Sequence, residues 1–450
     1  MKIYNLTRCS LALAALSTVF AGCSGAGPQV TPAATSDVRS EPQAASARLH
    51  PASTQVNWSQ TYFNSAHIGF NAKETTISTG NVGNLTSLWG QNVTGGVTGL
   101  ALGKGMIFAQ GSNSSGPPTL VAMNAATGSV LWTITTGYDG YALNGTVATG
   151  MANVYVGCGT TNTGNPGGVC AFSGANGKPR WSYIPDCNCQ FNGSVESPPV
   201  YSNGVVYYGV SGFPGQSDPY VVALNAQSGT PLWTYDAGPG GSLGSAPLAV
   251  SGGNVFFDCV TTGNVEGICA VNQSGGSLLW QAATGNNTTA FSIQAGVLYA
   301  SNDQNIVVAV NAATGAQLWS STGAIGKSAY APAIAGGAVY VAGNTSLSGL
   351  RATNGKQGWS APLPCAPESS PSVANGVVYV YQGGNNCPAV SAFNAKTGAL
   401  LSSFTTSVAS FNVSPVIANG TLYVTNGACG SVCAYVPSQE RPRSPTARFR

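Results

Sequence analysis

The chain has 450 residues, with only 6% charged, 60 glycines and a formal net charge of +3. So many glycines without a Gly-x-y period exclude collagen, and 43% hydrophobic residues exclude a disordered chain. The thin positive charge excludes a nucleic-acid partner, which asks for a dense basic field.

The first segment is an export signal. Lys2 and Arg8 precede the apolar stretch Leu11 to Phe20, which is too short to span a bilayer comfortably. Ala21-Gly22-Cys23 follows and resembles the bacterial lipobox, with Phe20 where leucine is usual. That resemblance implies lipidation of Cys23 after removal of residues 1–22. Ordinary cleavage and secretion is the alternative. Residues 23–54, rich in Ala, Pro, Ser, Thr and Gln, read as a disordered linker from the anchor. No later run is apolar and long enough for a membrane span.

A repeat fills 55–437. One phrase, Val121-Ala-Met-Asn-Ala-Ala-Thr-Gly128-Ser-Val-Leu-Trp132, returns at 171–181, 222–233, 270–280, 308–319 and 350–359. A last copy, 391–402, ends on Ser402 instead of Trp. Each copy predicts two strands joined by a turn in which Gly128, Gly177, Gly229, Gly276, Gly315, Gly355 or Gly398 takes positive φ. A second phrase precedes it, as in Ser370-Pro-Ser-Val-Ala-Asn-Gly-Val-Val-Tyr379, and predicts a strand, a tight turn and a strand. Together they give four antiparallel strands per unit, the anatomy of a propeller blade. The fold class is therefore all-β, an eight-bladed β-propeller of four-stranded antiparallel blades. The eighth blade has three strands of its own, and Leu85-Thr-Ser-Leu-Trp89 at the N-terminal end is expected to supply the fourth and close the ring. The periodic tryptophans read as interblade core, leaving Trp58 over. Residues 438–450, with Arg441, Arg443, Arg448 and Arg450, read as a disordered basic tail.

Ten cysteines remain after Cys9 and Cys23, an even number in an exported chain. Their strand positions pair Cys158 with Cys170, Cys259 with Cys269, and Cys429 with Cys433, each across its own hairpin. Cys365 and Cys387 are expected to meet on the face that holds the interblade links. Cys187 and Cys189 remain, as a structural disulfide or as a redox or metal pair. Two thiols alone are too few for a structural zinc site. The same face carries insertions at 112–118, 160–168, 211–219 and 261–267, whereas the opposite face has tight turns alone. Loops on a rigid scaffold commonly hold binding sites, so the inserted face is the candidate binding face. Tyr138, Tyr141, Phe191, Glu196, Lys327, Tyr330 and Phe411 fall in or near its links. Glu196 and Glu368 open inner strands near the axis and read as solvated rim charges.

The Asn-Ala-x-Thr-Gly-x-x-x-Trp phrases resemble the pyrroloquinoline-quinone (PQQ) type of propeller repeat, over about residues 55–436. The lead-in Asn57-Trp58-Ser-Gln, with His67, Asn71 and Glu74, also resembles that of many exported members. Quinone dehydrogenases of that type imply adjacent cysteines, a calcium held by Glu and Asn, and an Asp base. Here no Cys-Cys dipeptide occurs, and the nearest approach is Cys187-Asn-Cys189. His50 and His67 lie in the linker and lead-in, which leaves little for a His-based triad. The expectation is a monomeric, noncatalytic binding or scaffold propeller without cofactor, in the periplasm or anchored at the outer membrane. It is similar in fold and address to the propeller lipoprotein of the outer-membrane barrel assembly machinery. Its partner is an envelope protein or a glycan, and membrane contact is through the lipid anchor only. A PQQ-dependent dehydrogenase is the alternative.

Overall fold

The computed structural model describes residues 55–438, apart from 114–115, 136–146, 159–167, 185–196, 211–219, 238–247, 262–264, 285–287, 303–305, 323–329, 384–386, 406–412 and 428. Eight separate sheets follow one another along the chain. Blades one to seven occupy 96–135, 148–183, 200–236, 249–283, 288–322, 333–362 and 372–405. Blade eight holds the three strands of 416–437 and, as its fourth, Leu85–Gln91. Leu85–Gln91 runs antiparallel to Gly430–Pro437, so strands from opposite ends of the chain close the ring. Blade eight is thereby completed as a four-stranded sheet like its neighbours.

What holds neighbouring blades together can be read at each tryptophan. Its indole Nε1–H donates to a backbone oxygen in the third-to-fourth-strand turn of the next blade. Trp89 reaches Ala125 O, Trp132 Gly174 O, Trp181 Ala226 O and Trp233 Gln273 O, at 2.9–3.1 Å. Trp280 and Trp319 reach Ala312 O and Ala352 O, and Trp359 reaches Ala395 O. The ring then lies on the glycine that ends that turn. A Cβ at Gly229, where φ is +74°, would stand 2.6 Å from the Trp181 ring, and one at Gly315 2.8 Å from Trp280. The glycine is thus required twice, for left-handed backbone and for close approach. On its other side each tryptophan meets the aromatic residue of its own second strand, as in Tyr207–Trp233 and Phe256–Trp280, both with centroids 5.9 Å apart. A one-residue bulge before the tryptophan re-aims it, for example between Ala223 and Leu224 pairing.

Ser402 breaks this pattern for a topological reason. Blade eight takes its last two strands from the two ends of the chain, so it has no hairpin turn to receive a tryptophan. The 3-10 turn Val82–Asn84 packs there on Leu400–Thr405 instead, and Ser438 N donates to Asn84 O.

Gly229→Ala and Gly252→Ala separate the two demands on glycine. Both positions have positive φ, but a Cβ at Gly252 meets nothing within 4 Å. Each variant should lose about 1 kcal/mol from backbone strain. Gly229→Ala should lose roughly 2 kcal/mol more, because Trp181 must move. Chemical denaturation midpoints measure the difference, and equal midpoints would refute the docking role.

Candidate binding face and the closed channel

The segment that precedes the blades is built into the centre of the ring. Its backbone and side chains bond the innermost strand of each blade at the same register position. Leu102 N donates to Trp58 O at 2.8 Å, Thr149 N to Ser59 O at 2.7 Å, and Tyr201 N to the Gln60 side-chain Oε1 at 2.8 Å. Val250 N donates to Ser65 O, Ile293 N to Ala66 O, Ile334 N to Ile68 O and Val373 N to Gly69 O, all within 2.6–2.9 Å. In blade eight the polarity reverses, and Asn71 Nδ2 donates to Ile417 O at 2.8 Å. Innermost strands have one edge facing the axis, and this lead-in satisfies each of those edges in turn. Phe70–Asn71 even adds a short parallel strand to blade seven.

The lead-in can do this because its own turns are fixed. Asn64 Oδ1 accepts from Ala66 N and Ile68 N, and Gly69 N donates to Tyr62 O. Trp58, the tryptophan outside the repeat, is 1% exposed and packs edge-on against Phe63. Glu74 Oε1 accepts from Thr76 N and Ile77 N, and its Oε2 accepts from Gly420 N in blade eight. Asn57 Oδ1 takes Lys104 N, and Asn375 Nδ2 donates to Ile77 O. All these contacts lie beside the turns between first and second strands. The lead-in therefore crosses the channel at the tight-turn end.

Within the lead-in, the rings of Tyr62 and His67 meet edge-on at 5.3 Å. His67 is buried, and neither ring nitrogen has a hydrogen-bond partner. Burial pushes its pKa down to about 3, so the imidazole stays neutral. Burial pushes the Tyr62 phenol up, and the neighbouring Ser370 hydroxyl pulls the other way. Tyr330 stands at the start of blade six, half-buried, with its phenol pushed up to about 12 by burial and then by the Glu368 and Tyr62 charges.

Glu368 corrects the solvated-rim reading. It is partly buried, its Oε2 is enclosed without a partner, and burial raises its carboxyl pKa. Gly383 makes room for it, since a Cβ there would overlap the carboxylate. These groups form a polar cluster of one carboxylate, two phenols, one imidazole and the Ser370 hydroxyl. That donor set does not suit a calcium–quinone pair, because calcium favours several carboxylate and carbonyl oxygens and the cluster offers one carboxylate among neutral phenols, a hydroxyl and an imidazole. Among the described residues no group of three or more His, Cys, Asp and Glu stands together.

The disulfides lie at the opposite end, in blades two, four, seven and eight. Cys158–Cys170 and Cys259–Cys269 staple the second and third strands of blades two and four, with Cα–Cα distances of 5.7 and 5.8 Å. The two pairs occupy the same register and link diagonally, with Cys158 opposite Gly168 and Cys170 opposite Val156, and with Cys259 opposite Gly267 and Cys269 opposite Phe257. Cys365 joins Cys387 across blade seven's approach, and Cys429 joins Cys433 in blade eight. Of the predicted binding-face residues, Tyr330 is the one within the described structure. Tyr138, Tyr141, Phe191, Glu196, Lys327 and Phe411 lie outside the described residues, as do Cys187, Cys189 and Cys23. Tyr62 and the Ser370 neighbourhood were not singled out from sequence. No repeat marks them, and only the threading of the lead-in brings them to Glu368.

The family described as outer membrane protein assembly factor BamB matches residues 47–212, 142–305 and 302–443, which together span the ring. The chain belongs to this PQQ-type, BamB-like propeller family. Among curated proteins it is 28% identical over 291 residues to tetrathionate hydrolase of Acidithiobacillus ferrooxidans, covering 55% of this chain and 56% of that protein. The chain thus spans about half the length of that relative. Among solved structures it resembles quinohemoprotein alcohol dehydrogenase from Comamonas testosteroni, with a TM-score of 0.65 and 14% identity over 86% of this chain and 82% of that one. It also resembles BamB from Moraxella catarrhalis, with a TM-score of 0.56 and 16% identity over 80% of this chain and 99% of that one. At such identities the structures share the fold alone.

The buried imidazole predicts an acid-sensitive lead-in. Between pH 6.5 and 3 the unfolded chain binds a proton at His67 that the folded chain refuses. Stability should therefore fall as pH drops through that window, by up to about 5 kcal/mol. In His67→Asn, where Asn tolerates the φ of +56°, the fall should be shallower. Thermal melts from pH 7 to 3.5 read this directly, and parallel curves for the two proteins would contradict it.

Proposed function

We propose that this propeller is a noncatalytic binding or scaffold protein of the cell envelope, presenting its disulfide-stapled end to a protein or glycan partner. The observation that carries this reading is the lead-in. It occupies the tight-turn end of the channel and bonds to all eight innermost strands, which leaves the opposite end as the approach to the axis. That end holds the staples, Tyr330 and Glu368. Disulfides across hairpins restrain loop roots, so a partner meets an ordered surface at lower entropic cost. Four disulfides also belong to an oxidising compartment, in keeping with an exported BamB-like protein. Lipidation at Cys23 would tether the ring to a membrane by one chain, with the linker as spacer.

A photo-crosslinking residue placed at Tyr141, Lys327 or Tyr330 in living cells should give discrete adducts. The same residue at Thr127 or Lys178, on the tight turns, should give few. Adducts confined to the tight turns would overturn the assignment of the face. The purified protein, given PQQ and calcium with an alcohol and a dye acceptor, or given tetrathionate, should show no turnover. Saturable turnover of either would replace the binding role with an enzymatic one.

A further inference from the structure

Blade six departs from the repeat at four positions, and all four line one cavity on the tight-turn side of its border with blade seven. At the start of the second strand, Ala338 is smaller than the residue of any other blade, which is Met106, Val205, Val297 or Val377 in four blades and Asn153, Asn254 or Thr421 in the others. Opposite the tryptophan, Gly349 stands where the other blades have alanine, such as Ala122, Ala223 and Ala309. At the bulge before the tryptophan, Gly358 replaces the leucine of Leu131, Leu232, Leu279 and Leu318. At the turn, Arg351 replaces the asparagine of Asn124, Asn225, Asn311 and Asn394.

The last exchange has a structural cost. Asn124 Oδ1 accepts from Ala126 N and Thr127 N, and Asn311 Oδ1 accepts from Ala313 N and Thr314 N. An arginine accepts neither bond, so the turn loses the cap from that position and keeps only the side-chain bond from Lys356 N to Asn354 Oδ1. Ala338 and Gly358 lose packing as well, whereas the space at Gly349 is taken by the Trp359 ring, 2.6 Å from where a Cβ would stand. The resulting cavity is about 580 Å³. The corresponding groove between blades one and two, with Met106 in the place of Ala338, holds about 220 Å³.

What lines the larger cavity has a clear chemical sense. Trp359 and Tyr340 form an aromatic wall, their centroids 6.0 Å apart. Tyr340 is 5% exposed, yet its hydroxyl has no protein partner among the described residues. Of its counterparts, Tyr155, Tyr299 and Tyr423 donate to Ala226 O, Ala352 O and Ala125 O in the following blade, whereas Tyr207 and Tyr379 also lack a partner among the described residues but are fully enclosed. Arg351 and Lys396 stand at the mouth, exposed, and neither is paired with an acid among the described residues. No carboxylate lines the cavity. Its volume suits a molecule of one or two rings and is too small for a macromolecule.

We propose that the cavity between blades six and seven binds a small organic anion with a flat apolar body, an aryl carboxylate or sulfonate. Arg351 and Lys396 hold the anionic group, the Tyr340 hydroxyl donates to it, and the apolar body packs over Ala338 and Gly358 against the edge of Trp359, whose faces are taken by Gly398 and Tyr340. This site is separate from the stapled end and does not depend on the role assigned there.

The test uses the full chain and two fluorescent probes of similar shape. One is the anionic 8-anilinonaphthalene-1-sulfonate and the other the neutral N-phenyl-1-naphthylamine. The wild-type protein should bind the sulfonate at one saturable site. Ala338→Met and Gly358→Leu restore residues that other blades carry, and each should weaken both probes by roughly tenfold. Arg351→Asn and Lys396→Gln should weaken the sulfonate alone. Arg351→Asn should also melt at or above the wild-type temperature, since it restores the turn cap. Absence of saturable sulfonate binding would overturn the proposal, as would filled-in variants that bind like wild type. Charge variants that leave sulfonate affinity unchanged would overturn it too.

Discussion

The contact on which the ring depends is an indole lying flat on a glycine of the next blade. It needs a bulge to aim the tryptophan, a left-handed glycine to let it approach, and a turn carbonyl to accept the Nε1 hydrogen. Every blade but the seventh thus presents a tryptophan forward, every blade but the eighth a glycine backward, and neighbours interlock without any long-range sequence code. The ring of eight blades closes through seven such contacts, with the Val82–Asn84 turn on Leu400–Thr405 at the eighth border. Where the chain's two ends meet, the turn is absent, and the tryptophan of the preceding blade is absent with it. Ser402 is therefore a consequence of closure and not a decayed repeat.

The ring alone would leave eight strand edges facing water along the axis. The lead-in answers this with a single non-repeating stretch that donates or accepts once per blade. Its hydrogen bonds span the whole sequence, from Asn57 with Lys104 to Asn71 with Ile417. Such non-local pairing is slow to form and makes the lead-in a late, cooperative lock on the folded ring. It also breaks the molecule's pseudo-symmetry between ends. One end is knitted shut by backbone, and the other carries cross-linked hairpins and a buried carboxylate among phenols.

The repeat made most of this fold legible. Gly-x-x-x-Trp, Asn-Gly turns and alternating apolar strands each have a local physical cause, so blade number, strand order and closure by Leu85–Gln91 follow from residues alone. Cysteine spacing on antiparallel strands likewise fixes who can reach whom. The lead-in was less legible, because nothing in Gln60, Tyr62 or His67 announces the eight distant partners that bury them. Glu368 looked like a rim charge for the same reason, since the shelter at Gly383 and Tyr330 comes from other segments. The blade-six cavity lies between these cases. Its four departures are visible in the aligned repeat, but only the structure shows that they face one space.

The claim that most needs testing is that the lead-in shuts the tight-turn end and leaves the stapled end for partners. Residue-resolved hydrogen exchange on the intact protein addresses it most directly. The amides of Leu102, Thr149, Tyr201, Val250, Ile293, Ile334 and Val373 point from inner strands toward the axis. If the lead-in holds them, they exchange with the slowest class of strand amides, in every blade alike. Rapid exchange at these positions, beside slow exchange in the second and third strands, would mean an open channel and would contradict the assignment of the two ends.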